Sequence, residues 1–150
     1  MTLKLSKQEI VKEIVKSGKD PLYFINNYCL IQTNKGRQLV KDIGGLRDYQ
    51  DQILETFKVS KLNIVMASRQ VGKTVTSSIF MLWYLIFHSD KTALCVADNF
   101  TTTKELIDKF KISLEGLPFF MKPGINVINQ SQVQFDSNSR LVGRTTTKKS

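Results

Sequence analysis

The chain has 150 residues, enough for one ordinary hydrophobic core, and its 41% hydrophobic and 23% charged content is that of a folded globular protein. That balance excludes a disordered or low-complexity chain, and the 22 basic against 13 acidic residues leave a net charge of +9. Such an excess suits contact with polyanions, although a plain solvated basic surface explains it equally well.

The first twenty residues are amphipathic and lysine-rich rather than a charged-then-apolar leader. Within them, Ser6 and Glu9 have the spacing of a capping box ahead of Ile10, Val11, Ile14 and Val15, which predicts a first helix ending near Gly18. Asp20-Pro21 reads as the cap and first position of a short helix through Asn27. Residues 28–32 and 37–43 read as two strands around Asn34-Lys35-Gly36, and Gly44-Gly45 breaks the pattern.

From Leu46 onward the texture changes. Leu46, Tyr49, Gln50, Ile53, Leu54 and Phe57 share one helical face. Leu62-Asn63-Ile64-Val65-Met66 has the character of a buried parallel strand. A polar loop follows over 67–74, and then a helix over 74–88 that is apolar nearly all round. Its apolar run is broken by Thr76, Ser77 and Ser78 and falls short of the roughly 20 residues that span a bilayer, so a buried helix is expected and no membrane partner. His88 is expected to cap that helix's last carbonyls. A second buried strand over 92–97, a helix over 101–114 and short strands over 125–128, 132–135 and 140–142 complete the chain. This alternation predicts an α/β fold with a parallel sheet flanked by helices. Cys29 and Cys95 lie in apolar stretches without metal-ligand spacing and are expected to be buried, reduced thiols.

The loop Ala67-Ser68-Arg69-Gln70-Val71-Gly72-Lys73-Thr74 fits the phosphate-loop pattern G-x-x-x-x-G-K-[ST], with alanine in place of the first glycine. Its chemistry asks for backbone N–H groups aimed at phosphate oxygens and for Gly72 to allow close approach. Lys73 supplies a fixed positive charge, and the Thr74 hydroxyl is suited to Mg²⁺. The N-terminus of the following helix adds its partial positive charge. These features predict ATP and Mg²⁺ as ligands, with Ala67, Ser68, Gln70, Val71, Gly72, Lys73 and Thr74 as the contacting residues. Arg69 is placed either to stabilise charge on a transferring phosphoryl group or to point outward into an ion pair. Upstream, Tyr49 and Gln50 carry a ring and a carboxamide suited to stacking on, and pairing with, an adenine.

Together, Arg47-Asp48-Tyr49-Gln50, the run Asn63-Ile64-Val65-Met66 and the loop Ser68-Arg69-Gln70-Val71-Gly72-Lys73-Thr74 resemble the large terminase subunit of tailed bacteriophages. The Ser-Arg-Gln-x-Gly-Lys-Thr form of the loop is characteristic of that family. Ala93-Leu94-Cys95-Val96-Ala97-Asp98-Asn99 with Thr103-Lys104-Glu105, and the stretch Ser139-Arg140-Leu141-Val142-Gly143-Arg144-Thr145-Thr146, extend the likeness over about 23–150. The resemblance implies a RecA- and helicase-like ATPase that drives double-stranded DNA into a capsid from the cytoplasm of an infected cell. It further implies a homo-oligomeric ring working with a portal protein and a small terminase subunit. By that likeness Gln50 contacts adenine, Arg69 acts in cis as the catalytic arginine with Lys73, and Thr74 ligates Mg²⁺.

The sequence departs from the family in one respect. No apolar strand ending in Asp-Glu follows the loop: Asn99 follows Asp98, and Ser137 follows Asp136. The expectation is therefore a division into an extension over 1–45 and a partial ATPase domain over 46–150. It stops before the second acidic (Walker B) motif and lacks the nuclease carboxylates. Such a product is expected to bind ATP weakly, to turn it over negligibly and to be poorly soluble. Two other readings stay open. One is a helicase or translocase of the superfamily that shares the Gln element; the other is a non-catalytic DNA- or partner-binding module using Arg140, Arg144, Lys148 and Lys149.

Overall fold

The structure, a computed structural model, describes residues 5–146. Helix α1 (Lys7–Lys19) opens on the expected box: Ser6 Oγ accepts from the Glu9 N–H at 3.3 Å, and the Glu9 carboxylate accepts from the Ser6 N–H at 2.7 Å. Helix α2 (Pro21–Tyr28) starts at Asp20, whose carboxylate accepts from the N–H groups of Leu22 and Tyr23. Strands β1 (Leu30–Thr33) and β2 (Gly36–Leu39) pair antiparallel as a hairpin. The second strand is shorter than the sequence suggests, because Val40–Ile43 turns into a 3-10 helix closed by Gly44 in the left-handed region (φ 88°).

Three helices carry the rest of the frame: α3 (Asp48–Val59), α4 (Lys73–Phe87) and α5 (Phe100–Glu115). Strands β3 (Thr92–Ala97), β4 (Ile125–Ile128), β5 (Gln132–Phe135) and β6 (Arg140–Thr145) form one sheet in the order β3-β6-β5-β4. Only the β3–β6 pair is parallel; β6–β5 and β5–β4 are antiparallel. The fold is therefore α/β with a mixed sheet flanked by helices, which corrects the all-parallel expectation. The turn at 136–139 is too short for a crossover, so β5 and β6 must pair antiparallel.

The core lies between α4, α5 and the sheet, with Ile79, Leu82 and Leu85 facing Ile107, Phe110, Leu114, Val133, Phe135 and Leu141. Phe110 stacks on Phe135 at 6.3 Å between ring centroids. Gly143 lets β6 lie close under α5, since a Cβ there would sit 2.3 Å from Thr103 Cγ2. The N-terminal segment joins the same core: Phe24, Ile25, Cys29 and Val40 are fully buried within it. Trp83 Nε1 donates to the Ser17 carbonyl at 2.9 Å, and Ser113 Oγ donates to the Leu30 carbonyl at 2.5 Å, tying α1 and β1 to α4 and α5. Both thiols are free and buried. Burial raises the Cys95 pKa to about 11 and pushes Cys29 higher still. His88 ends α4 as expected, its Nδ1 2.9 Å from the Tyr84 carbonyl. No helix among the described residues is long and apolar enough to cross a membrane.

Residues 62–66 depart most from the sequence reading. They run without regular secondary structure, and Leu62, Ile64 and Met66 are 93%, 92% and 93% exposed. A buried parallel strand needs ladder partners on both sides. Here no described strand pairs with this run, so its apolar side chains face outward. Strand β3 is likewise a sheet edge, with Leu94 and Val96 more than half exposed, so only Cys95 on this strand is buried. An apolar, unpaired edge favours association. In sedimentation velocity the chain is expected to form larger species as concentration rises, and Ile64→Lys with Met66→Lys to shift it toward monomer. A monomer at all concentrations, or no effect of the two lysines, would count against this account of the exposed run.

Candidate phosphate-binding site

Residues 67–72 leave the extended run and enter α4 through a sharp bend. Gln70 (φ 63°) and Gly72 (φ 84°) both take left-handed conformations there, and Gly72 caps the helix. The loop is pinned from α3. Tyr49 Oη donates to the Val71 carbonyl at 2.5 Å, and Gln50 Nε2 donates to Thr76 Oγ1 at 2.9 Å. Thr76 in turn donates to the Gly72 carbonyl at 3.0 Å, while Gln50 Oε1 accepts from the Arg47 N–H at 3.1 Å. One carboxamide thereby joins the start of α3 to the first turn of α4. A Cβ on Gly72 would lie 2.8 Å from Gln50 Nε2, so glycine is required both for its φ and for this approach.

Arg69 and Gln70 lie inside a hydrogen-bonded turn that the Val71 N–H closes toward the Ser68 carbonyl. The backbone donors at the start of α4, by contrast, have no partner: the N–H groups of residues 72–75 donate to no carbonyl or side chain among the described residues. These belong to the helix start, where the first N–H groups lack intrahelical partners and the dipole is positive. A row of donors around a left-handed bend is the arrangement that backbone anion nests use.

A cavity of about 330 Å³ opens on this row, lined by Gln70, Val71, Gly72, Lys73, Thr74, Val75 and Lys109. Two ammonium groups and no carboxylate belong to that lining. Lys73 Nζ donates to the carbonyls of Ala67 and Ser68 at 2.5 and 3.1 Å, folded back over its own loop. The Thr74 hydroxyl is half-buried and makes no hydrogen bond among the described residues. The lining thus fits a polyphosphate. For Mg²⁺ it offers the Thr74 hydroxyl alone, which matches a cation that keeps several waters and takes phosphate oxygens as ligands.

The other expected residues divide. Ala67, Ser68, Val71 and Tyr49 border a second cavity of about 510 Å³ between α3 and residues 63–68, with Gln52, Ile53 and Thr56 on its helical wall. Gln50 lines neither cavity, because both ends of its amide are engaged in the brace just described. Arg69 is exposed, makes no ion pair among the described residues and lines neither cavity. Lys109 escaped the sequence reading altogether. It sits thirty-odd residues past the loop on α5, and only the packing of α5 against α4 brings it there. No known family model matches the chain.

The brace has a measurable consequence. Gln50→Ala removes the bond to Thr76 and the one to Arg47, and is expected to lower the unfolding free energy by about 1–2 kcal/mol in denaturant melts without ligand. An unchanged midpoint would show that the amide is not a structural strut.

Proposed function

We propose that this chain is the nucleotide-binding part of an ATP-driven DNA motor of the large-terminase kind. The observation that carries the proposal is the row of unpaired N–H groups over residues 72–75, which border a cavity whose lining holds two lysines and no acid. A triphosphate brings several anionic oxygens at the spacing of such donors. It would satisfy at once the helix start, the bend and the ammonium groups.

In this reading Lys73 leaves the carbonyls of Ala67 and Ser68 and binds the phosphate tail. Gly72 keeps a side chain out of the bend. Thr74 is the hydroxyl that would hold Mg²⁺, an ion that bridges phosphate oxygens and offsets their charge. The ring of Tyr49 borders the neighbouring cavity and is suited to the base, while Gln50 holds the cradle's shape. Arg69, exposed and unpaired, is free to swing toward the tail. Double-stranded DNA, a portal and a small terminase subunit as partners, in a ring of copies in the host cytoplasm, are proposed solely from the resemblance of the loop Ser-Arg-Gln-Val-Gly-Lys-Thr to the large-terminase family. No Asp or Glu lines the cavity to orient an attacking water, so the proposed activity of residues 1–150 is binding rather than turnover.

Titration calorimetry with ATP and Mg²⁺ tests this. The chain is expected to take up nucleotide weakly but saturably, Lys73→Ala to weaken it at least about tenfold, and phosphate release to stay at background. Uptake unchanged by Lys73→Ala, or vigorous Mg²⁺-dependent phosphate release, would overturn the proposal.

A further inference from the structure

Lys109 borders two openings at once. One is the phosphate-loop cavity; the other is a narrow apolar seam of about 40 Å³ between Leu30, Ile31, Gln32, Val75, Ile112 and Ser113. Its backbone is firmly held. Phe110 next to it is fully buried, as is Ile107, and Ser113 one turn on donates to the Leu30 carbonyl. The ammonium itself makes no ion pair or hydrogen bond among the described residues, although Asp108 precedes it and Glu105 lies one turn back. A lysine whose stem lies along apolar surface while its head stays unpaired carries its charge to the polar end of its path. Here that end is the cavity opposite residues 70–75.

We infer that Lys109 is a second phosphate-binding ammonium, reaching from α5 across the cradle to grip the same polyphosphate as Lys73 from the opposite wall. The inference rests on the proposed nucleotide site and adds a residue to it. Lys73 and Lys109 differ in what they give up on binding. Lys73 must first leave two carbonyls of its own loop, whereas Lys109 has no protein partner to lose. Its contribution is therefore the less offset of the two, even though it lies outside the loop. It also links occupancy of the cradle to α5, the helix whose Thr103 donates to the Arg144 carbonyl at 3.2 Å on β6.

Inorganic tripolyphosphate, titrated into residues 1–150 by calorimetry at low and moderate salt, separates this inference from the reading beneath it. Lys109→Met keeps the stem and removes the charge. It is expected to weaken tripolyphosphate uptake roughly tenfold and to make the remaining uptake less salt-sensitive, with an unchanged melting midpoint in the absence of ligand. Lys109→Arg is expected to stay within about threefold of the parent. If the parent binds, Lys73→Ala weakens uptake and Lys109→Met binds like the parent, the role given to Lys109 is wrong while the cradle stands. A lower ligand-free melting midpoint in Lys109→Met, with Lys109→Arg equally weak, would mean a packing role and would also overturn it. If the parent itself takes up no tripolyphosphate, the cradle and the role of Lys109 both fall.

Discussion

The bend between residues 67 and 73 is the constraint on which the site depends. The chain enters α4 through a hydrogen-bonded turn over Arg69 and Gln70 and two left-handed residues, Gln70 and Gly72. The N–H groups of residues 72–75 are left without a partner among the described residues. Such a conformation persists only when its surroundings over-determine it. Tyr49 on the Val71 carbonyl and Gln50 on Thr76 provide that support, both from the first turn of α3. Helix α4 provides the rest by burying Ile79, Leu82 and Leu85, which anchors the helix start against the whole core. The cradle is therefore rigid where it meets the protein and unsatisfied where it meets solvent.

Much of this was legible in the sequence, and the reasons are local. Capping at Ser6 and Asp20, and the apolar spacing of α3, α4 and α5, depend on neighbours within a turn or two, so they appear as short-range pattern. The loop's motif stands out because it sets particular residues at fixed offsets. Strand pairing depended on more. Residues 62–66 have the composition of a buried strand, yet a strand exists only through a partner, and none of the described strands lies beside it. The antiparallel run β6-β5-β4 follows from short turns whose direction apolar composition does not encode. Val40 is β-branched and so suits a strand, but it starts a 3-10 helix, because the chain must turn at Gly44.

Site residues beyond the loop were the least legible. Gln50 reads naturally as a base-contacting carboxamide, and its engagement with Arg47 and Thr76 appears only once α3 lies across the start of α4. Lys109 carries no motif. The one trace of it in the sequence is a lysine one residue before the fully buried Phe110, on a helix whose apolar face packs against α4. Its place in the cavity lining arises from tertiary packing that joins residues far apart in the chain, which residue spacing along a helix cannot reveal.

The central claim is that the unpaired main-chain N–H groups over residues 72–75 receive a polyphosphate. Amide ¹H–¹⁵N spectra of the chain, recorded while ATP is added at low salt, address those groups one by one. The amides of residues 72–75, Gly72 and Lys73 foremost, are expected to move downfield together along one saturable curve, with α1 and the β1–β2 hairpin unmoved. Shifts scattered over surface lysine regions with the loop amides stationary would contradict it.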